Sequence, residues 1–168
     1  MSTPRSPAVI YYSRSGHTRR AAAALAAKTG ADLIPITVDR YRVPVIWMFR
    51  AIWDVMRRQM PHVRLEQGAL TQRRWIVIAT PVWADQPAPP VKRVLSELER
   101  GDTPVGLLTT AGSPNDPIKC VGTCVDLLGR RVVERAHIHN RIDRTPEADT
   151  RLRTFAEAME THAIAGAA

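Results

Sequence analysis

The chain has 168 residues, 45% of them apolar, and carries 24 Lys and Arg against 16 Asp and Glu, a formal net charge of +8. Length and apolar content predict one domain over residues 1–168 with a sizeable core. The absence of a membrane-length apolar run, of a signal-type apolar segment in residues 1–7 and of any disulfide framework predicts a soluble cytoplasmic protein with no transmembrane segment.

Residues 8–12 (AVIYY) have the short, apolar and aromatic character of a buried strand. Residues 19–28 contain six alanines and a leucine with no Gly or Pro, and predict a helix. After Gly30, a helix stop, residues 31–37 (ADLIPIT) read as a second strand. Residues 39–64 occupy the place of the second helix but are long. Within 44–61, Val45, Met48, Phe49, Ile52, Val55, Met56 and Met60 mark one helical stripe, while Ile46, Trp47 and Trp53 widen it. A helix packed on the sheet explains the stripe; a homodimer contact, a lid or a membrane-surface helix explains the excess, although the stripe is short for a lipid anchor.

The third strand is residues 75–80 (WIVIAT), followed by a helix over 90–100 with Val91, Val94, Leu95 and Leu98 at helical spacing. Residues 105–109 read as strand four and 115–128 as a helix ending at Gly129. Residues 131–138 read as strand five, and a last helix covers 146–162 with Thr145 as N-cap and Pro146 at its first position. This alternation predicts an α/β fold: a doubly wound, five-stranded parallel sheet of order 2-1-3-4-5 in a three-layer αβα sandwich.

In such a sheet ligands bind outside the carboxyl ends of the strands. After strand one come Ser13, Arg14, Ser15, Gly16, His17 and Thr18. Unpaired N–H groups at the helix start, the partial positive charge there, three hydroxyls and a glycine make a phosphate cradle. The plainer reading is an ordinary helix cap. The segment is neither a P-loop nor G-x-G-x-x-G, since Gly16 is its only glycine. After strand three, Pro81, Val82, Trp83 and Ala84 open a proline-stiffened loop in which Trp83 could stack on a planar ligand or simply cover the sheet end. After strand four, Thr110, Ala111, Gly112 and Ser113 permit close approach of backbone amides to a heterocycle, or form a plain turn.

Other candidates are weaker. Cys120 and Cys124, four apart, would share a helix face as buried small residues or as a dithiol. His137 and His139 share one side of strand five but lack further ligands, so no metal site is expected. Asp85, beside Trp83, reads as a proton donor, a substrate contact or a solvated loop acid.

Together, Ser13 to Thr18, the Ile78-Ala79-Thr80-Pro81-Val82-Trp83 stretch, and Pro89-Pro90-Val91-Lys92 through Leu95 resemble the flavodoxin-like superfamily, in particular small bacterial flavodoxin-family proteins with a Pro-Val-Trp loop and a Thr-Ser/Ala-Gly loop. The resemblance runs from Val9 to about Ile138 and implies noncovalent FMN. It assigns Ser13, Arg14, Ser15, Gly16, His17 and Thr18 to the FMN phosphate. Pro81, Val82, Trp83 and Ala84 would flank the flavin ring, and Thr110, Ala111, Gly112 and Ser113 would meet its other edge.

Electron-carrier flavodoxins are typically acidic and often place a second aromatic after strand four; this chain is basic and has none there. A positive surround favours a reduced, anionic flavin, a unit charge at about 10 Å contributing roughly 1.7 kcal/mol at an effective dielectric near 20. Arg14, Arg19 and Arg20 lie close to the proposed phosphate. The expectation is therefore an oxidoreductase passing electrons from NAD(P)H to a quinone-like or other small acceptor, with no catalytic side chain assigned. The alternatives are a non-enzymatic electron-transfer flavoprotein, reduced by a reductase and docking on an acidic protein partner, and an interaction module without flavin. No nucleic-acid module is recognisable, and specific nucleic-acid binding is not expected.

Overall fold

The computed structural model describes residues 6–38, 53, 57, 60–65, 68, 70–98, 102–129 and 132–166. Strand β1 (Ala8–Tyr11) lies inside a parallel sheet, paired on one side with β2 (Asp32–Pro35) and on the other with β3 (Ile76–Trp83). Beyond β3 come β5 (Val105–Ala111) and the edge strand β6 (Glu134–His139), giving the order β2-β1-β3-β5-β6. This is the doubly wound order expected, with one addition. Strand β3 runs on past Thr80 and turns back into a two-residue antiparallel strand β4 (Gln86–Pro87), so the expected loop after the third strand is a hairpin.

The reason lies in where β3 loses a neighbour. β1 follows β3 only as far as Ala79, whereas β5 follows it through the Pro81–Thr110 pair. Pro81, which has no N–H to donate, therefore falls where the ladder is already one-sided. Ala84 and Asp85 make the turn, both with left-handed backbone at φ 48 and 60. Two positive φ angles match the twist of a hairpin, but Ala-Asp is not the Asn-Gly signature that announces one.

Because side chains alternate across a strand, each strand feeds two cores. Ile10, Ile34, Ile76, Ile78 and Leu107 pack with Val91, Val94 and Leu95 of α2 (Pro89–Glu97) and Cys120 and Cys124 of α3 (Ile118–Leu128). Val9, Val77, Leu108 and Ile138 pack on the opposite face with Ala21, Ala22 and Leu25 of α1 (His17–Thr29) and Leu152, Phe155 and Met159 of α4 (Pro146–Ala165). Each large side chain fully withdrawn from water contributes about 1.5–3 kcal/mol. Gly106 of β5 lets α4 approach: a Cβ there would stand 2.6 Å from Met159 Sδ and 3.0 Å from Phe155 Cζ.

Helix α1 begins two residues earlier than the alanine run, at His17, and ends where Gly30 takes the left-handed conformation. Both cysteines are fully buried on the inner face of α3, and a hydrogen bond with Cys120, reinforced by burial, pushes the Cys124 thiol up. Most of the 39–64 segment lies outside the described residues. Of it, Trp53 is half exposed, the Arg57 guanidinium stands 4.1 Å over its ring, and Thr37 bridges Arg64. Among the described residues no helix is long and apolar enough to cross a membrane.

Candidate functional site

Parallel pairing of β1, β3 and β5 carries the three expected segments to one edge of the sheet, because their strands all end there. Side-chain contacts join them. Thr18 at the start of α1 meets Thr110 at the end of β5, hydroxyl to hydroxyl at 2.7 Å and buried. Tyr12, just past β1, meets Trp83 at the end of β3, ring edge to ring face with centroids 5.7 Å apart. Burial pushes the Tyr12 hydroxyl up to about 12, against the lowering charge of Arg14, so Tyr12 stays a neutral phenol.

The first segment does not cap its helix in the ordinary way. Gly16 is the N-cap, with φ 90, and no side chain closes the helix start. The Gly16 N–H donates instead to Ser13 Oγ at 3.1 Å, and the first bond of the helix ladder is Arg20 N–H to Gly16 O. The amides of His17, Thr18 and Arg19 are thus outside the ladder, at the positive end of the helix. Arg14 and Ser15 are exposed; Ser13, Gly16 and His17 are half-buried.

The hairpin places Pro81, Val82 and Trp83 half-buried and Ala84 exposed at the rim. Hydrogen bonds hold it from below. Gln86 Oε1 accepts from Lys92 Nζ at 3.1 Å and from Thr123 Oγ1 at 3.0 Å, and Thr80 Oγ1 accepts from Ala88 N–H at 3.2 Å. Asp85 reaches Lys119 at 3.6 Å across an exposed gap.

In the third segment Thr110 is buried, Ala111 ends β5, and Gly112 and Ser113 form the exposed bend. His137 and His139, read as strand-end histidines, have a definite task. Each ring Nε2–H donates to a carbonyl of this bend, His137 to Ser113 and His139 to Gly112, both at 2.9 Å. Asn140 adds its backbone N–H to Ala111 O at 2.8 Å.

The sequence reading passed over Asp143, although the 140–145 loop follows β6 and so opens on the same edge. Its carboxylate Oδ2 lies 2.6 Å from His17 Nδ1 and accepts from Arg20 Nε at 2.9 Å and Nη2 at 2.5 Å. Burial alone would raise this carboxyl; the Arg20 and His17 hydrogen bonds and charges outweigh it and hold the group below its usual range. Arg20, counted among the positive charges near the loop, is thereby neutralised.

No protein-family model matches the chain, and no curated protein matches it. Solved structures do. A protein from Bacteroides uniformis ATCC 8492 superposes with a TM-score of 0.76 at 16% identity, over 92% of this chain and 99% of that one. A flavoprotein in complex with FMN from Lactobacillus acidophilus NCFM gives 0.68 at 20% identity, over 80% and 93%. The flavodoxin, WrbA-like protein from Agrobacterium tumefaciens gives 0.62 at 18% identity, over 94% and 96%. With its strand order and these superpositions, the chain has the flavodoxin-like fold.

Proposed function

We propose that the chain binds FMN noncovalently at this edge and works as a redox protein, passing electrons from NAD(P)H to a quinone-like or other small acceptor. The observation that carries the reading is the start of α1. A serine-rich loop precedes the helix, yet its one glycine turns left-handed and no side chain caps the amides. An uncapped, serine-flanked helix start fits a phosphate group. The FMN named in the Lactobacillus acidophilus structure supports the same group here.

Ser13, Arg14, Ser15, Gly16, His17 and Thr18 would hold the phosphate. Pro81, Val82, Trp83 and Ala84 would flank the ring, and Thr110, Ala111, Gly112 and Ser113 would face its other edge. FMN supplies one- and two-electron transfer when bound. The protein's own part is placement: the Thr18–Thr110 contact ties the first segment to the third, and Tyr12 packs edge-on against Trp83. The histidine-held carbonyls of Gly112 and Ser113 keep that bend in one shape.

The test is an absorbance spectrum of the folded protein after FMN addition and desalting, followed by NAD(P)H oxidation with a quinone acceptor. A retained flavin band is expected, and a folded protein that remains colourless overturns the reading. A second reading, an electron carrier for an acidic protein partner, is favoured by the exposed Arg14 and Arg19 at the loop and the +8 net charge. It predicts reduction only through a partner reductase, with no direct NAD(P)H oxidation.

A further inference from the structure

We propose that Thr110 is a positioning residue for the phosphate of bound FMN: its hydroxyl donates to Thr18, and the Thr18 hydroxyl proton is thereby turned toward the phosphate. The inference rests on the FMN reading above and adds a residue of β5 that acts through the first segment.

Four threonines among the described residues are at most 2% exposed: Thr18, Thr80, Thr109 and Thr110. Two of them have a backbone carbonyl to take the hydroxyl proton, Thr80 with Pro81 O at 3.0 Å and Thr109 with Ala136 O at 3.2 Å. Thr18 and Thr110 have only each other, oxygen to oxygen at 2.7 Å. The helical threonines Thr29, Thr150 and Thr161 donate to the carbonyl four residues earlier. Thr18 lies in the first turn of α1 and makes no such bond.

A pair of hydroxyls carries two protons, and the bond between them uses one. The second proton has no acceptor among the described residues, although both side chains are shut off from water. A buried O–H without an acceptor is destabilising, and two valines would fill the same space without that cost. The surplus donor sits where the first and third segments meet, at the uncapped start of α1. The Thr18 amide is one of those outside the helix ladder, so an anion seated on it lies within reach of the Thr18 hydroxyl.

A phosphate oxygen of FMN only accepts, and this decides the direction of both bonds. Thr18 Oγ1 donates to the phosphate, and its lone pair accepts the proton of Thr110. In the free protein either hydroxyl can donate to the other. Binding selects one of the two arrangements, and Thr110 holds the donor in place without touching the ligand. The rest of the flavin gains nothing from this, so the pair discriminates a phosphate monoester from riboflavin.

The test is a double-mutant cycle on FMN affinity, read by flavin fluorescence during titration of the apoprotein in phosphate-free buffer. Thr18→Val should weaken FMN binding about 10- to 100-fold, and Thr110→Val about three- to tenfold. The double variant should match Thr18→Val within about twofold, because Thr110 has then lost the group it acts through. Thr110→Ser keeps the hydroxyl and should restore affinity to within about twofold of wild type. Riboflavin should bind wild type and variants alike within about twofold; where it binds too weakly to measure, the FMN cycle decides alone. Without ligand, the double variant should melt no more than about 3 °C below wild type, or above it. Should Thr110→Val fail to fold, Thr110→Ala enters the same cycle.

Losses that add in the double variant overturn the inference, since Thr110 then meets the ligand itself. So do an unchanged FMN affinity in Thr110→Val, a Thr110→Ser variant no better than Thr110→Val, and an equal loss for riboflavin. A larger fall in melting temperature also overturns it, because the pair would then stabilise the fold by itself. Each of these leaves the FMN reading intact. A folded wild-type protein that binds no FMN overturns both.

Discussion

The two ends of the candidate site are built by opposite means. At the end formed by the start of α1, one oxygen of Asp143 meets His17 and two nitrogens of Arg20, drawing together a loop and a helix more than 120 residues apart. At the hairpin end the load is spread: Gln86 Oε1 has two donors from two helices, Thr80 pins Ala88, and Tyr12 leans on Trp83. Concentrated charge gives one end sensitivity to pH and to a single substitution. Distributed hydrogen bonds and ring packing make the other end tolerant of both. Under the proposed function the contrast is useful, since the end that would recognise an anion must respond to charge while the end that would hold a ring need only keep its shape.

The sharpest way to break the comparison is Asp143→Ala. It should lower the unfolding free energy by about 2 kcal/mol in urea denaturation, since hydrogen bonds to charged groups contribute about 1.5–3 kcal/mol but the partly exposed Arg20 regains water. Acid should reproduce part of that loss without a mutation. The Asp143 carboxyl is held below its usual 3.8 in the folded protein, with Asp149 lowered likewise by its hydrogen bond from Lys28. Their contributions are full above the unfolded-chain pKa of about 3.9 and disappear as pH falls through the lower folded values. Thermal melts below about pH 4 should therefore lose a component that Asp143→Ala no longer shows.

At the other end the expected effects are smaller. Ala84→Gly should raise stability by about 0.5–1 kcal/mol, because Ala84 holds a left-handed conformation at φ 48 that glycine adopts without steric cost. Lys92→Met should change it by less than about 1 kcal/mol: the lysine is buried, an apolar chain of similar length fills its place, and Thr123 still bonds Gln86. A loss at Lys92→Met as large as that at Asp143→Ala would end the distinction between the two ends.

The same contrast explains what could be read from the sequence. Strands such as residues 76–80 and helices such as the alanine-rich α1 announce themselves through local composition, and the order of the sheet follows from their alternation. The hairpin stayed hidden because its turn is Ala-Asp and its strands contain Pro81 and Pro87, residues that read as loop. Asp143 stayed hidden for a different reason: its partners lie 123 and 126 residues earlier, and no spacing or pattern connects them. His137 and His139 were visible as a pair, but their work, holding the carbonyls of a neighbouring bend, depends on parallel pairing with β5.

The long reach of the Asp143 contact has a consequence for how the protein is made. Ribosomes add about 5–20 residues per second, so the loop around His17 emerges roughly 6–25 s before the carboxylate that will hold it. Throughout that interval the nascent chain has a helix start and no clamp. The α1 end of the site is thus completed only after residue 143 has been made, and a polypeptide interrupted before it keeps all three expected segments yet lacks the Asp143 contact with His17 and Arg20.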